Sequence, residues 1–326
     1  MGTSNRTESN RVIGSMQPQA GNRTYVKGFA SKRFNRNLPL LIMFIPVIAF
    51  FITFRYIPML GGIIAFKQYN LMQGIWGSPW AGFDNFRMIF QNPQTLQIIR
   101  NTFILSFINI VIGFPFPILA AVMLNEVRRV WFKKSVQTLL YLPHFFSWVI
   151  VGGIVVTLFG AQAGIVNTVI TAFGGEPIQF LYRVDTWMAI FFGSSIWKEA
   201  GFSAIIYLAA ISSIDPHLYE AASIDGANKA KQIWHVTLPG ILPIMTLMLI
   251  IAMGNVMEVG FDRVYNLQNA SVSDVSSVIS TYIYTVGIQG GMYSLTTAMG
   301  LFESVIGLVL VVLANAAAKK FNQSLW

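Results

Sequence analysis

Six stretches of this chain are apolar over roughly 17–25 residues, the length an α-helix needs to cross the hydrocarbon core of a bilayer. They lie at about 38–56, 102–125, 137–159, 186–211, 240–261 and 295–317. A bilayer core holds no water to satisfy backbone N–H and C=O groups, so each stretch must close its hydrogen bonds within itself. The expectation is an all-α, polytopic membrane protein with a six-helix transmembrane bundle over 38–317, packed around a pathway. Composition agrees, because hydrophobic residues make up 54% of the 326 and charged residues only 11%, a balance suited to lipid rather than water. The first run begins at Leu38 and lacks a small-residue cleavage site, so it reads as a retained span rather than a signal peptide. Pro39 should sit in its opening turn, where a missing N–H has no partner to lose. Pro115 and Pro117 interrupt the second run, and Gly152 and Gly153 lighten the third.

Lysine and arginine are divided unevenly between the loops. The tail 1–37 carries seven, the loop after the second run four (Arg128, Arg129, Lys133, Lys134), the segment 212–239 two (Lys229, Lys231) and the tail 318–326 two (Lys319, Lys320). The opposite loops hold five: Lys67, Arg87, Arg100, Arg183 and Arg263. The positive-inside rule then places both termini and 212–239 in the cytoplasm. The net charge of +9 reads as topology rather than nucleic-acid affinity. The tail 1–37 has one acid, Glu8, among many Ser, Asn and Gln residues, and is expected to be mostly disordered. The loop 57–101, punctuated by Gly74-Ile-Trp-Gly-Ser-Pro-Trp80, reads as an ordered external element.

Catalytic chemistry finds no footing. Cysteine is absent, and the three histidines, His144, His217 and His235, have no ligand-spaced partners, so no metal site or thiol nucleophile is expected. No phosphate-binding Gly-x-x-x-x-Gly-Lys-Ser/Thr loop is present, and Gly287-Ile-Gln-Gly-Gly291 reads as an external turn. Polar residues inside spans are costly and normally face protein or water. Asn109, Trp197, Lys198, Glu199, Asn255, Glu258, Glu303 and Ser304 are such residues. Indole faces, amides and carboxylates together can hold a hydroxyl-bearing solute; the same residues serve equally well as interhelical hydrogen bonds. An ion-coupled secondary transporter of a small polar solute would use Lys198, Glu258 and Glu303 as coupling sites. A channel or scaffold without energy coupling is a third reading. The opposite loops carry five bases and five acids, which leaves substrate charge open.

Residues 220–239 form a polar, small-residue cassette between two very apolar runs. Glu220, Ala221 and Ala222 open it, Asp225, Gly226 and Ala227 follow, and Val236, Leu238 and Pro239 close it as Val-x-Leu-Pro. Asp215-Pro216 is suited to start a helix, as N-cap and first-turn proline. Gly226 can take a backbone turn closed to other residues, and Pro239 is expected at the start of the next span. The cassette resembles the EAA loop of the membrane subunits of binding-protein-dependent ABC importers. Further stretches resemble maltose-type sugar permeases of the branch for oligosaccharides and complex polysaccharide fragments. These are Gly82-x-x-Asn85-Phe86, Arg100-Asn101-Thr102, Leu124-Asn125-Glu126, Tyr141-Leu142-Pro143-His144-Phe145 and Gly260-Phe261-Asp262. The resemblance implies a type I importer permease in a bacterial plasma (inner) membrane, with Glu220, Ala221, Ala222, Asp225, Gly226, Ala227 and Pro239 coupling to ATPases. It implies as partners two cytoplasmic ATPase subunits carrying ATP and Mg, a second permease subunit of a related but different chain, an external solute-binding protein and a saccharide. No cofactor is expected on this chain itself, and Asn109, Trp197, Lys198, Asn255, Glu258 and Glu303 are the candidates for the substrate pathway.

Overall fold

The structure, a computed structural model, describes residues 25–320, with side chains from Leu38 onward. Among these residues the chain is helical throughout its regular elements, apart from one antiparallel bridge between Lys67 and Trp80. It divides into two compact units, 1–60 and 61–326.

In the first unit, the helix Tyr25–Phe51 starts well before Leu38 and contains Pro39 and Pro46 in its interior. Two expectations are thereby corrected. Residues 25–37 are helical rather than disordered, and Pro39 does not open the span. Once the apolar run has nucleated a helix, each added residue gains a hydrogen bond for little entropy, so Lys, Arg and Ala upstream extend it. The remainder of the predicted tail, 1–24, lies outside the described residues, as does 321–326. Past Phe51 the helix widens into a π turn, Ile52–Tyr56, in which Ile57 N–H bonds the Ile52 carbonyl. Pro58 follows at once. A proline lacks an N–H and its ring crowds the carbonyl four residues back, and a wider turn accommodates both defects without ending the helix. Every side chain from Leu38 to Leu60 is exposed, as expected of an apolar helix that lipid solvates.

In the second unit, Pro93–Glu126, Lys229–Gly254 and Tyr293–Lys319 are long and apolar enough to cross a membrane. The helix Val184–Ser212 has 29 residues, or about 44 Å at about 1.5 Å per residue, although Lys198 and Glu199 interrupt its apolar run. Two predicted spans differ from the expectation. The run 137–159 is two helices, Val130–Tyr141 and Trp148–Phe159, joined by the turn Leu142–Phe145 and bent by 104°. Pro143 removes a donor there, and Ser147 caps the second helix by accepting from the Ile150 N–H. The run 240–261 stops at Gly254. Residues 255–260 are irregular, Gly260 has φ 91°, and the helix Phe261–Leu267 follows. Val256, Met257 and Val259 in the break are nevertheless buried, so their apolarity reflects a core position and not a continuing helix.

Helix packing forms three core clusters. Trp187, Phe191, Val151 and Val264 anchor one, Ile89, Ile279 and Met299 a second, and Tyr207, Ile118 and Ile241 a third. The segment 57–101 is ordered. The Lys67 ammonium is buried and donates to the carbonyls of Ile75, Ser78 and Trp76 at 2.8, 3.2 and 3.4 Å. Asn85 donates to the Ala65 and Lys67 carbonyls. Two helices approach closely at Gly201, where an added Cβ would collide with the Leu140 carbonyl oxygen. Gly201→Val should therefore force the two helices apart and cost at least about 1–3 kcal/mol, seen as a lower thermal midpoint of the solubilised subunit. An unchanged midpoint would show that the crossing is looser than described.

Candidate functional site

The segment 212–239 is built from local signals. Asp215 accepts from the His217 N–H at 3.0 Å and Pro216 occupies the first turn, starting the helix Pro216–Ile224. Its end is a Schellman motif: the Ala227 N–H bonds the Ala222 carbonyl and the Gly226 N–H bonds that of Ser223. Gly226 holds φ 77°, and nothing lies within 4 Å of an added Cβ. Asn228 then caps the next turn through the Lys231 N–H. Gln232 is buried and donates to Ser223 Oγ at 2.8 Å, Ser223 donates to the Tyr219 carbonyl, and the Tyr219 and Thr237 hydroxyls share a bond at 3.0 Å. These side chains clip the short helix to Lys229–Gly254. A π turn at Ile233–Thr237 precedes Pro239, the device already seen before Pro58. Pro239 therefore lies inside a continuous helix and not at its start, because the π turn absorbs its missing donor.

Among the predicted residues, Glu220, Ala221, Asp225, Gly226 and Pro239 are exposed, whereas Ala222 and Ala227 are half-buried inside the turn. Glu220 faces His217 at 3.1 Å. Leu218 and Ile224, exposed at 54% and 87%, flank Ala221 at three-residue spacing and make an apolar stripe. Their apolarity was visible in the sequence, but only the helix register puts them on one face. At the rear, Lys229 pairs with Glu126 at 3.4 Å, joining the segment to the end of the Pro93–Glu126 helix.

The interior polar residues divide into groups. Asn255, Glu258 and Glu303 come together, lining a cavity of about 750 Å³ with Ser280 and Ser304. Asn109 lines a separate cavity of about 210 Å³ with Ser195, Glu199 and Tyr207. Lys198, 6% exposed, donates to the His144 carbonyl at 2.9 Å and pairs with Glu199 at 3.1 Å, while His144 Nδ1 lies 2.8 Å from the other Glu199 oxygen. The His144 ring stacks on Phe202 at 3.9 Å. Trp197 is 47% exposed and lines neither cavity.

The sequence places Arg263 in a loop opposite the basic side. Instead it is 4% exposed, donates to Asn109 Oδ1 and Ser195 Oγ, and lies 4.2 Å from the Phe191 ring centre. Trp148 stands between the two buried cations, with its ring centre 5.5 Å from Lys198 and 5.8 Å from Arg263. An order of helices in space, which hydropathy does not encode, is what brings Arg263 to Asn109. The arrangement holds no nucleophile–base pair; it offers hydrogen-bonding cavities and a stiff polar joint.

The sequence profile described as "Binding-protein-dependent transport system inner membrane component" matches residues 113–326. The chain belongs to that family. It is 45% identical over 284 residues, 87% of this chain and 88% of the relative, to the "Polygalacturonan/rhamnogalacturonan transport system permease protein YteP" of Bacillus subtilis (strain 168). Protein LplB of the same strain is 41% identical, with 87% of this chain and 89% of LplB covered. A solved bacterial ABC transporter involved in the import of the acidic polysaccharide alginate contains a chain 43% identical, with TM-score 0.82, covering 89% of this chain and 98% of that one. A second structure of a bacterial alginate ABC transporter, in complex with an alginate pentasaccharide-bound periplasmic protein, matches at 42% identity and TM-score 0.83, covering 90% and 98%. The chain is thus a multi-pass inner-membrane permease with the fold of ABC importer permeases, a transport subunit and not an enzyme.

The permease's buried ammonium yields a direct test. Lys198→Met removes charged hydrogen bonds and leaves the His144 carbonyl and Glu199 without them, a loss of about 1.5–3 kcal/mol. The thermal midpoint of the solubilised permease should fall, and Lys198→Arg should retain part of it.

Proposed function

We propose that this permease forms part of the translocation pathway of an ATP-driven importer for oligosaccharides and is driven through the helix Pro216–Ile224. The observation that carries the reading is the form of 212–239. A nine-residue helix is fixed at both ends, clipped to a membrane helix by Gln232 and Tyr219, and presents Leu218, Ala221 and Ile224 outward. Exposed apolar side chains on a rigid, polar-rimmed helix fit a groove in another protein. The docking partner is a cytoplasmic ATPase subunit, two per assembly, which holds the ATP and Mg. Glu220 supplies a charge at the rim, and the open space at Gly226 lets the groove wall approach the backbone. The charge distribution supports cytoplasmic termini and an outward-facing 57–101 segment.

A second, related permease subunit completes the pathway, and an external binding protein delivers the saccharide. Relatives named for polygalacturonan and rhamnogalacturonan transport and for alginate import support a saccharide cargo. Within this chain the pathway groups are Asn255, Glu258 and Glu303 around the larger cavity and Asn109 with Glu199 around the smaller. Lys198 has a different task, holding the bend at His144, and Trp197 lies outside both cavities.

In proteoliposomes containing the whole assembly, Gly226→Asp, Glu220→Lys and Ile224→Asp should each abolish ATP-dependent uptake. Insertion should be normal, and the backbone strain of a side chain at Gly226 should cost only about 1–2 kcal/mol. Uptake that persists without an ATPase subunit would refute the reading. With the external binding protein present, oligosaccharides should stimulate ATPase activity; a flat response to all of them alongside stimulation by another solute class would remove the saccharide assignment.

A further inference from the structure

The segment Lys67–Trp80 is stiffer than a connection between helices requires. Besides the three carbonyls gathered by Lys67, Ser78 Oγ donates to the Gly74 carbonyl and accepts from the Asn70 N–H. The Tyr69 N–H donates to Ser294 Oγ at 2.8 Å, fixing the segment to the first turn of the Tyr293–Lys319 helix. The Tyr69 and Tyr293 rings meet edge to face at 5.9 Å.

Between them lies a cavity of about 470 Å³, lined by Gln68, Tyr69, Asn70, Gln73, Met292 and Tyr293 among others, with no charged residue in its wall. That volume is within the range of about 300–1,000 Å³ found for small-molecule sites. Among the described residues, the side-chain amides of Gln68 and Gln73 and both tyrosine hydroxyls have no hydrogen-bond partner. The Asn70 carbonyl oxygen accepts from the Met72 N–H, which leaves its NH2 unused. The wall thus offers three amide NH2 groups, two amide carbonyls and two phenols, carried on a backbone fixed by the Lys67, Ser78 and Ser294 bonds. Neutral groups that both donate and accept match a polyhydroxylated ring, whose hydroxyls do the same. An ionic headgroup would want a fixed counter-charge, and none lines the wall.

We infer that this cavity is a saccharide subsite at the outer mouth of the permease, distinct from the interior cavities, where a sugar ring is held by hydroxyl recognition as it enters. The inference rests on the saccharide reading and the outward placement of 57–101. The test uses the complete assembly in nanodiscs without binding protein, titrated separately with malto-oligosaccharides and oligogalacturonides and followed by saturation-transfer NMR on the sugar protons. The neutral malto-oligosaccharides should give saturable transfer, and the anionic oligogalacturonides, which meet no counter-charge in this wall, weaker transfer. Affinity should weaken about threefold in Tyr293→Phe, which keeps the ring contact with Tyr69, and about tenfold in the exposed pair Gln68→Ala/Gln73→Ala. ATPase stimulation of the unmodified assembly by saccharide-loaded binding protein is measured in parallel and reports on the proposed function independently. Stimulation without saturation transfer, or transfer untouched by either substitution, overturns the subsite alone. Absence of stimulation by every saccharide overturns the functional reading and the subsite with it.

Discussion

The buried Lys198 ammonium is the interaction on which the interior depends. It sits midway along the 29-residue helix Val184–Ser212; its bond to the His144 carbonyl, together with the bond of the adjacent Glu199 to the His144 ring, fastens that helix to the 104° bend. The Trp148–Phe159 helix has 12 residues, or about 18 Å, which is too short to cross a hydrocarbon core of about 30 Å. It must therefore be placed by packing and polar contacts, and the Lys198–Glu199–His144 cluster supplies them at its leading end. Arg263 repeats the device nearby, joining Asn109 and Ser195 across three segments distant in sequence. An ionic group away from water is tolerated when it is hydrogen-bonded, and Lys198 meets that condition through the His144 carbonyl and Glu199. Arg263 makes its bonds through one terminal nitrogen only; its buried Nε has no partner among the described residues, and its guanidinium is held against the Phe191 and Trp148 rings.

The same long helix ends at Ser212, three residues before the Asp215 cap. On the proposed function, a push on the short helix would be delivered directly to the element that carries Ser195, Lys198 and Glu199. A second route runs through Gln232 and Tyr219 into Lys229–Gly254, whose end supplies Asn255 to the larger cavity. Rigid elements meeting at defined joints are what a coupling mechanism needs, because compliance at the joint would dissipate the motion before it reached the cavities. Ile214 packs close enough that a Cβ at Gly240 would lie 2.7 Å from its Cδ1, a tight contact between the two routes.

What could be read in the sequence follows from which forces are local. The Asp215 cap, the Pro216 first turn and the positive-φ turn at Gly226 are set by residues within a turn of one another, and each is found where local chemistry put it. The break in 137–159 was signalled by Pro143 and Ser147 but masked by hydropathy, which measures burial and is blind to direction. Val256, Met257 and Val259 misled in the same way, since a buried irregular segment is as apolar as a span. Arg263 and Lys67 looked like loop charges because their partners, Asn109 and Ser195 for one and backbone carbonyls for the other, are brought to them only by folding. The stripe Leu218–Ala221–Ile224 needed the helix register to become a surface.

The central claim is that the apolar face of the Pro216–Ile224 helix is covered by an ATPase subunit. The chain has no native cysteine, so a single thiol can be introduced by Ile224→Cys and its maleimide labelling followed in membranes with and without the ATPase, with Trp76→Cys as a reference position. The account predicts that adding the ATPase protects position 224 severalfold and leaves position 76 unchanged. Equal labelling at position 224 with and without a bound ATPase would contradict it.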